Sequence, residues 1–351
     1  MSGINGWIIF DKPLGLGSTQ AVSAVKRNLR EAGFGKVKVG HGGTLDPLAT
    51  GVLPIALGEA TKLCGRMLDA SKVYEFTVQF GIETSGLDAE GEVVATSDVR
   101  PSSEQVEAVL PQFTGSIEQI PPAYSAIKID GKRAYDRARA GEVVEMVARE
   151  VTVFSLRPSP VELRSPSAQG RGGSADSAEG EGDICIGTAS TDSPPSVATK
   201  QQAAKSHCPP PKGKRALQFI TLTAHVSKGT YIRSLARDIA YALGTVGHVT
   251  MLRRTKAGPF TLSQAISLDK LNAIGQGAAL EDVILPMEAG LDDIPALTLS
   301  PEQARAIREG RVLTGIATAD GLYWARGAEM QAVALLELTD GTTKIVRGFN
   351  P

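Results

Sequence analysis

The chain has 351 residues, 42% hydrophobic and 21% charged, an ordinary globular balance and more than one typical core holds, so two domains are expected. A formal net charge of −1 excludes a uniformly basic nucleic-acid binder, and no run of about eighteen apolar residues offers a membrane span. The N-terminus lacks the basic and apolar regions of a signal peptide, which points to the cytoplasm. Cys64, Cys185 and Cys208 match neither a disulfide framework nor a zinc pattern, and free thiols are expected.

Trp7-Ile8-Ile9-Phe10 is a short apolar run closed by Asp11-Lys12-Pro13 and reads as a buried strand. Ser18 or Thr19 is expected to cap the next helix, with Val22, Val25 and Leu29 on its inner face and Gly33 at its end. A glycine-rich loop then spans 40–51. Within it Pro47 pushes Asp46 toward extended backbone, and the glycines permit close approach of another molecule. A carboxylate held this way can act as nucleophile or base, although an Asp-Pro step is also an ordinary turn.

Residues 72–80 alternate, with Tyr74, Phe76, Val78 and Phe80 on one side, as in a half-buried strand. Tyr74, at its start, suits either a core position or stacking on an extruded base. A strand near Val93-Val94 and a helix over 101–110, capped by Ser102 or Ser103, follow. Residues 119–142 interleave prolines and aromatics with Lys128, Lys132 and Arg133, a composition suited to RNA loops.

From about 158 to 214 the chain is rich in Ser, Gly, Pro and Ala, with no Phe, Tyr or Trp between Phe154 and Phe219. Disorder is expected there, in an insertion between strand-like runs at 151–156 and 217–226, where a long loop costs little stability. Ser227-Lys228-Gly229-Thr230 opens a helix over 230–243, with Ile232, Leu235, Ile239 and Ala242 as its apolar stripe. Arg233 stands beside that stripe, free to pair with a carboxylate or phosphate. Residues 228–256 carry a net charge of +5, so positive charge is local even though the total is not. A small final unit over 292–351 has a helix at 301–309 and strand-like runs at 332–338 and 343–347, and the whole pattern is mixed α+β.

Four stretches in this order carry a resemblance. They are Gly43-Thr44-Leu45-Asp46-Pro47-Leu48-Ala49-Thr50-Gly51, Lys72-Val73-Tyr74, Gln119-Ile120-Pro121-Pro122-Ala123-Tyr124, and Ser227-Lys228-Gly229-Thr230-Tyr231-Ile232-Arg233. Together they resemble the bacterial tRNA pseudouridine-55 synthase family, TruB, over about residues 4–158 and 215–290. The resemblance implies a pseudouridine-synthase-type mixed and antiparallel sheet flanked by helices over 1–291, with a thumb-like RNA-contacting segment at 119–145. It implies a small β-rich, PUA-like RNA-binding domain over 292–351.

By the same resemblance Asp46 is the catalytic aspartate, Tyr74 the tyrosine that stacks on the target base and Arg233 the partner of the aspartate. His41, Lys12, Lys128, Arg133, Lys228, Leu252 and Arg253 are the expected RNA contacts. The implied reaction turns uridine 55 of the tRNA T-loop into pseudouridine on a flipped-out base, with no cofactor or metal. The implied agent is a cytoplasmic monomer that needs no guide RNA. Gly86 stands where the family usually has threonine, and the 158–214 insertion has no counterpart in the family pattern. An RNA-binding factor without catalysis would not need Asp46, Tyr74 and Arg233 together. Guide-RNA-dependent relatives differ at Pro47-Leu48-Ala49-Thr50 and at Ser227-Lys228-Gly229.

Overall fold

The structure, a computed structural model, describes residues 3–125, 127–129, 131–142, 144–160 and 216–350. The expected disorder at 158–214 falls almost wholly outside these residues, as do Cys185 and Cys208. The chain lays down β1 (Gly6–Lys12), α1 (Ser18–Glu31), β2 (Val39–His41), β3 (Ala49–Leu57), α2 (Cys64–Asp69) and β4 (Lys72–Phe80). A ribbon of β5 (Ile82–Thr84) and β6 (Val93–Thr96) follows, then α3 (Ser103–Val109) and β7 (Gly115–Gln119). The small hairpin of β8 (Lys128–Ile129) and β9 (Lys132–Arg133) precedes α4 (Ala134–Arg139). Next come β10 (Arg149–Pro158), β11 (Phe219–Val226), α5 (Ile232–Ala242), β12 (Gly247–Ala257), β13 (Phe260–Thr261), α6 (Leu268–Gly275) and β14 (Ile284–Leu285). The last part holds β15 (Ala296–Thr298), α7 (Pro301–Arg308), β16 (Gly321–Arg326), β17 (Ala332–Thr339) and β18 (Thr342–Gly348).

One ten-stranded sheet organises the larger part, in the order β14-β1-β3-β12-β4-β11-β10-β7, with β2 added to β3 and β13 to β12. Its ladders are antiparallel except between β3 and β12, where Leu252 pairs with Ala49 and Arg254 with Gly51. Gly51 has φ +101°, and a Cβ there would collide with the backbone of Arg254, so glycine is what lets these two strands meet. The alternation of β4 buries Phe76, Val78 and Phe80 beneath α5, as expected. Helices α1 and α6 cover Ile8, Phe10, Leu53 and Ile55 in a neighbouring cluster. β10 and β11 pair antiparallel through Pro158 and Leu222, so the insertion does join two strands of a hairpin.

Several expected details are corrected. α5 buries Ile232, Leu235, Ala236, Ile239 and Ala240, the i, i+3, i+4, i+7, i+8 set, and Ala242 lies off that stripe and is exposed. Gly17, not Ser18 or Thr19, occupies the N-cap of α1; Gln20 Oε1 accepts from its N–H at 2.8 Å. Residues 40–51 are less loop than expected: Gly40 and His41 belong to β2, and Ala49, Thr50 and Gly51 to β3.

The final part forms a separate four-stranded sheet, β15-β16-β17-β18. One side packs on Ala304 and Ile307 of α7. Ala332, Leu335 and Phe349 instead join Trp7, Ile9, Met287 and Leu291 in a single cluster, so this sheet shares a core with β1. Among the described residues no helix is long and apolar enough to cross a membrane.

Candidate active site

Asp46 lies on the stretch between β2 and β3, and nearly every neighbour on that stretch is tied down. The Ser18 hydroxyl, freed from capping, accepts from Leu45 N–H at 2.8 Å and donates to Leu45 O at 2.9 Å. Leu45 itself is buried among the side chains under α1. Arg254, 1% exposed, donates to Gly43 O, Thr44 O and Val52 O at 3.1, 3.3 and 2.8 Å. It makes no ion pair among the described residues, so carbonyl dipoles alone satisfy this buried cation. Pro47 O accepts from Lys12 Nζ at 3.2 Å and from Gly15 N–H at 2.9 Å. The result is a fixed backbone with one half-exposed carboxylate projecting from it.

Arg233 meets that carboxylate. Its Nη2 lies 2.9 Å from Asp46 Oδ2 and also donates to Tyr124 O at 2.9 Å. Its Nη1 donates to Asp88 Oδ2 at 2.8 Å and to Gly86 O at 3.0 Å. The planar guanidinium therefore joins three segments at once, a geometry that a lysine ammonium cannot reproduce. Its helix is set by Gln119, 1% exposed, whose amide accepts from Tyr231 N–H at 2.7 Å and donates to Tyr231 O at 3.1 Å. Because Tyr231 is the N-cap of α5, Gln119 fixes where Arg233 begins. Asp46, Asp88, Arg233, Leu252, Leu14 and Met251 all line one cavity of about 140 Å³.

The structure therefore brings Asp46, Arg233 and Leu252 together. Tyr74 shares a sheet face with Leu252, because Phe76 pairs with Leu252 and Tyr74 with Arg254 across β4 and β12. It packs against both neighbouring cores and is not among the residues lining the cavity. Arg253 points elsewhere and pairs with Asp11 at 2.8 Å. His41 is half-buried, and its Nδ1 is buried without a hydrogen-bond partner among the described residues. Burial, with Arg254 nearby, lowers its pKa below the usual imidazole value. Lys228 is exposed and pairs with Asp69 at 2.9 Å. Lys128 and Arg133 lie on β8 and β9, but their side chains are outside what is described.

Lys12 is corrected. It is 0% exposed, and its ammonium donates to Pro13 O, Leu16 O and Pro47 O, so it holds the Asp46 stretch from beneath and is closed to a phosphate. Burial pushes its pKa down to about 8, against the charge of Asp46. Two groups of the site, Asp88 and Arg254, are not among the residues expected from the sequence. Arg254 had a usable signal: on a strand it shares a face with Leu252, two residues away. Asp88 follows Leu87, held at φ +59°, in a turn whose form only the fold explains. Among the described residues no group of three or more His, Cys, Asp or Glu side chains could hold a metal ion.

The chain is similar to known proteins over almost its whole length. Residues 30–169 match the TruB family pseudouridylate synthase N-terminal domain, and residues 233–292 match the tRNA pseudouridylate synthase B C-terminal domain. A Novosphingobium aromaticivorans protein named tRNA pseudouridine synthase B is 61% identical over 347 residues, covering 99% of this chain and 98% of that protein. One of the same name from Zymomonas mobilis is 50% identical, covering 99% of this chain and 96% of its own. In fold, the chain is similar to a solved H/ACA RNP bound to a substrate RNA containing 2'-deoxyuridine, with a TM-score of 0.63. That match is 22% identical and covers 99% of this chain and 85% of the other. At the identities of its bacterial relatives, over nearly its whole length, the chain belongs to the TruB family of pseudouridylate synthases.

Proposed function

We propose that this protein isomerises uridine 55 in the T-loop of tRNA to pseudouridine, with Asp46 as the reacting carboxylate. The observation that carries the reading is a half-exposed Asp46 carboxylate at a cavity, 2.9 Å from a buried Arg233. In the reaction the N1–C1′ bond breaks, uracil rotates, C5 bonds to C1′, the C5 hydrogen leaves as a proton and N1 takes up a proton. A stacked base hides both C1′ and C6, so the nucleotide must be extruded, at a cost of a few kcal/mol. Asp46 then serves by attack or by proton abstraction at the sugar, and Arg233 orients it. Tyr74 holds the detached uracil by stacking, which requires its ring to turn toward the cavity. No cofactor or metal is needed, because the isomerisation leaves composition and overall oxidation level unchanged.

The thumb-like segment 119–145 closes on the T-loop, with Lys128 and Arg133 as contacts, and His41, Lys228 and Arg253 add further ones. The β15–β18 sheet serves as a PUA-like RNA-binding unit. The protein works as a cytoplasmic monomer on tRNA alone, and the intact Pro47-Leu48-Ala49-Thr50 and Ser227-Lys228-Gly229 runs support independence from a guide.

The test is purified protein, alone, with tRNA carrying tritium at uridine C5. Wild type should release label to water, and mapping should place pseudouridine at position 55. Asp46→Asn should bind tRNA, since phosphate contacts come from Lys and Arg elsewhere, and release nothing. Release by Asp46→Asn at the wild-type rate would falsify the assignment of Asp46.

A further inference from the structure

Two exposed apolar side chains line the same cavity as Asp46. Leu14 is 65% exposed and Met251 is 37% exposed. They come from unrelated stretches, Leu14 from the turn after β1 and Met251 from β12. Isolated exposed apolar residues are common and need no explanation. These two differ because each is presented by a rigid backbone at the edge of a site where RNA must sit.

The turn that carries Leu14 is fixed at several points. Lys12 Nζ donates to Pro13 O and Leu16 O on either side of it. Gly15, with φ +83°, donates its N–H to Pro47 O at 2.9 Å, tying Leu14's neighbour to the residue after Asp46. Leu14 thus has a set position relative to the carboxylate while its side chain stays in water. Met251 stands on a strand bound on both sides: it pairs with Thr77 of β4, and the next residue, Leu252, pairs with Ala49 of β3. Asp46 and Arg233, paired with each other at 2.9 Å, line the same cavity. The cavity therefore sets apolar surface beside these charged groups, and a nucleobase face fits such a surface.

We propose that Leu14 and Met251 form an apolar clamp that receives the faces of the nucleobases flanking the flipped uridine. The clamp contributes binding to the RNA; it takes no part in bond making. Its energy comes from removing preordered apolar surface from water, so it should not depend on salt. This inference rests on the proposed reading of the site.

The experiment uses the full chain and measures tritium release from tRNA labelled at uridine C5, across a salt series. Leu14→Ala should raise KM roughly tenfold, Met251→Ala somewhat less, with kcat largely kept, the pattern of lost uniform binding. Leu14→Met should restore most of the affinity. The slope of log KM against log salt should match wild type in every variant, because no phosphate contact is lost. Thermal midpoints should stay near wild type, since Leu14 leaves most of its surface in water. An unchanged KM in the Leu14→Ala, Met251→Ala double variant overturns the clamp, as does a fall in kcat at constant KM or a reduced salt slope. Absence of release by wild type would overturn the enzymatic reading itself, and so the two failures are separable.

Discussion

Asp46 is held on two sides by groups of different kinds. Beneath it, Arg254, Lys12 and Ser18, none more than 4% exposed, bond to the backbone of residues 43–47 and touch no carboxylate. On the cavity side, Arg233 divides one guanidinium among Asp46, Asp88 and two carbonyls on separate segments. The first set fixes where the carboxylate stands. The second sets what faces it, and it can respond if the segment bearing Tyr124 moves. Position and charge are thereby controlled by different residues, so each can be removed without the other.

The largest effect should follow Arg233→Lys. A lysine offers three donors from one point and cannot serve four acceptors in a plane. Turnover is expected to fall about 10²–10³-fold, comparable with losing a placed electrostatic donor, with tRNA affinity close to wild type. Single-turnover tritium release with parallel filter binding checks this, and a rate within tenfold of wild type would mean Arg233 is dispensable.

Arg254→Met breaks the other side. It leaves Gly43 O, Thr44 O and Val52 O without their buried donor, which should cost about 2–4 kcal/mol of stability. Urea unfolding measures the loss. A variant as stable as wild type, with a normal rate, would show that the stretch holds itself in place.

A subtler probe is pH. Lys12 and Lys72 are both pushed down to about 8 by burial, from the ordinary 10.5. From about pH 8 to pH 10 the unfolded chain then binds more protons than the folded one, so stability rises with pH in that window. The rise should be about 2 kcal/mol for each lysine, and Lys12→Met should remove roughly half of it. A flat wild-type profile between these pH values would count against buried, charged lysines. Least of all should come from Lys228→Ala. Its pairing with Asp69 is exposed, so stability should change by less than about 0.5 kcal/mol. KM should rise two- to threefold, and the salt slope should fall by about one if Lys228 meets a phosphate.

What the sequence revealed about this site follows from distance along the chain. The alternation of β4 and the Asp46-Pro47 step depend on neighbouring residues, and both were legible. The stripe of α5 is legible in most positions, but ten residues after Ile232 the helix has turned Ala242 off the buried face. Lys12 is an expected RNA contact by resemblance alone, and nothing in its own run marks it as buried. Its burial depends on carbonyls from two loops converging on it. Arg254 and Asp88 needed more still, since their partners come from β3, the Asp46 stretch and α5. The two short strands β15 and β16 carry too little pattern to stand out from the turns around them.

The parallel seam between β3 and β12 also constrains how the protein is made. Thr50 and Leu252 are 202 positions apart, yet β12 lies between β3 and β4 in the sheet. At roughly 5–20 residues per second, a ribosome needs ~10–40 s after completing β3 before its partner emerges. During that interval β3 and β4 each present an unpaired edge, the kind of surface that recruits wrong partners. Native Asp46 geometry, anchored through Arg254, cannot exist until this late strand is threaded home. Nascent chains should therefore stay inactive until β12 has left the ribosome.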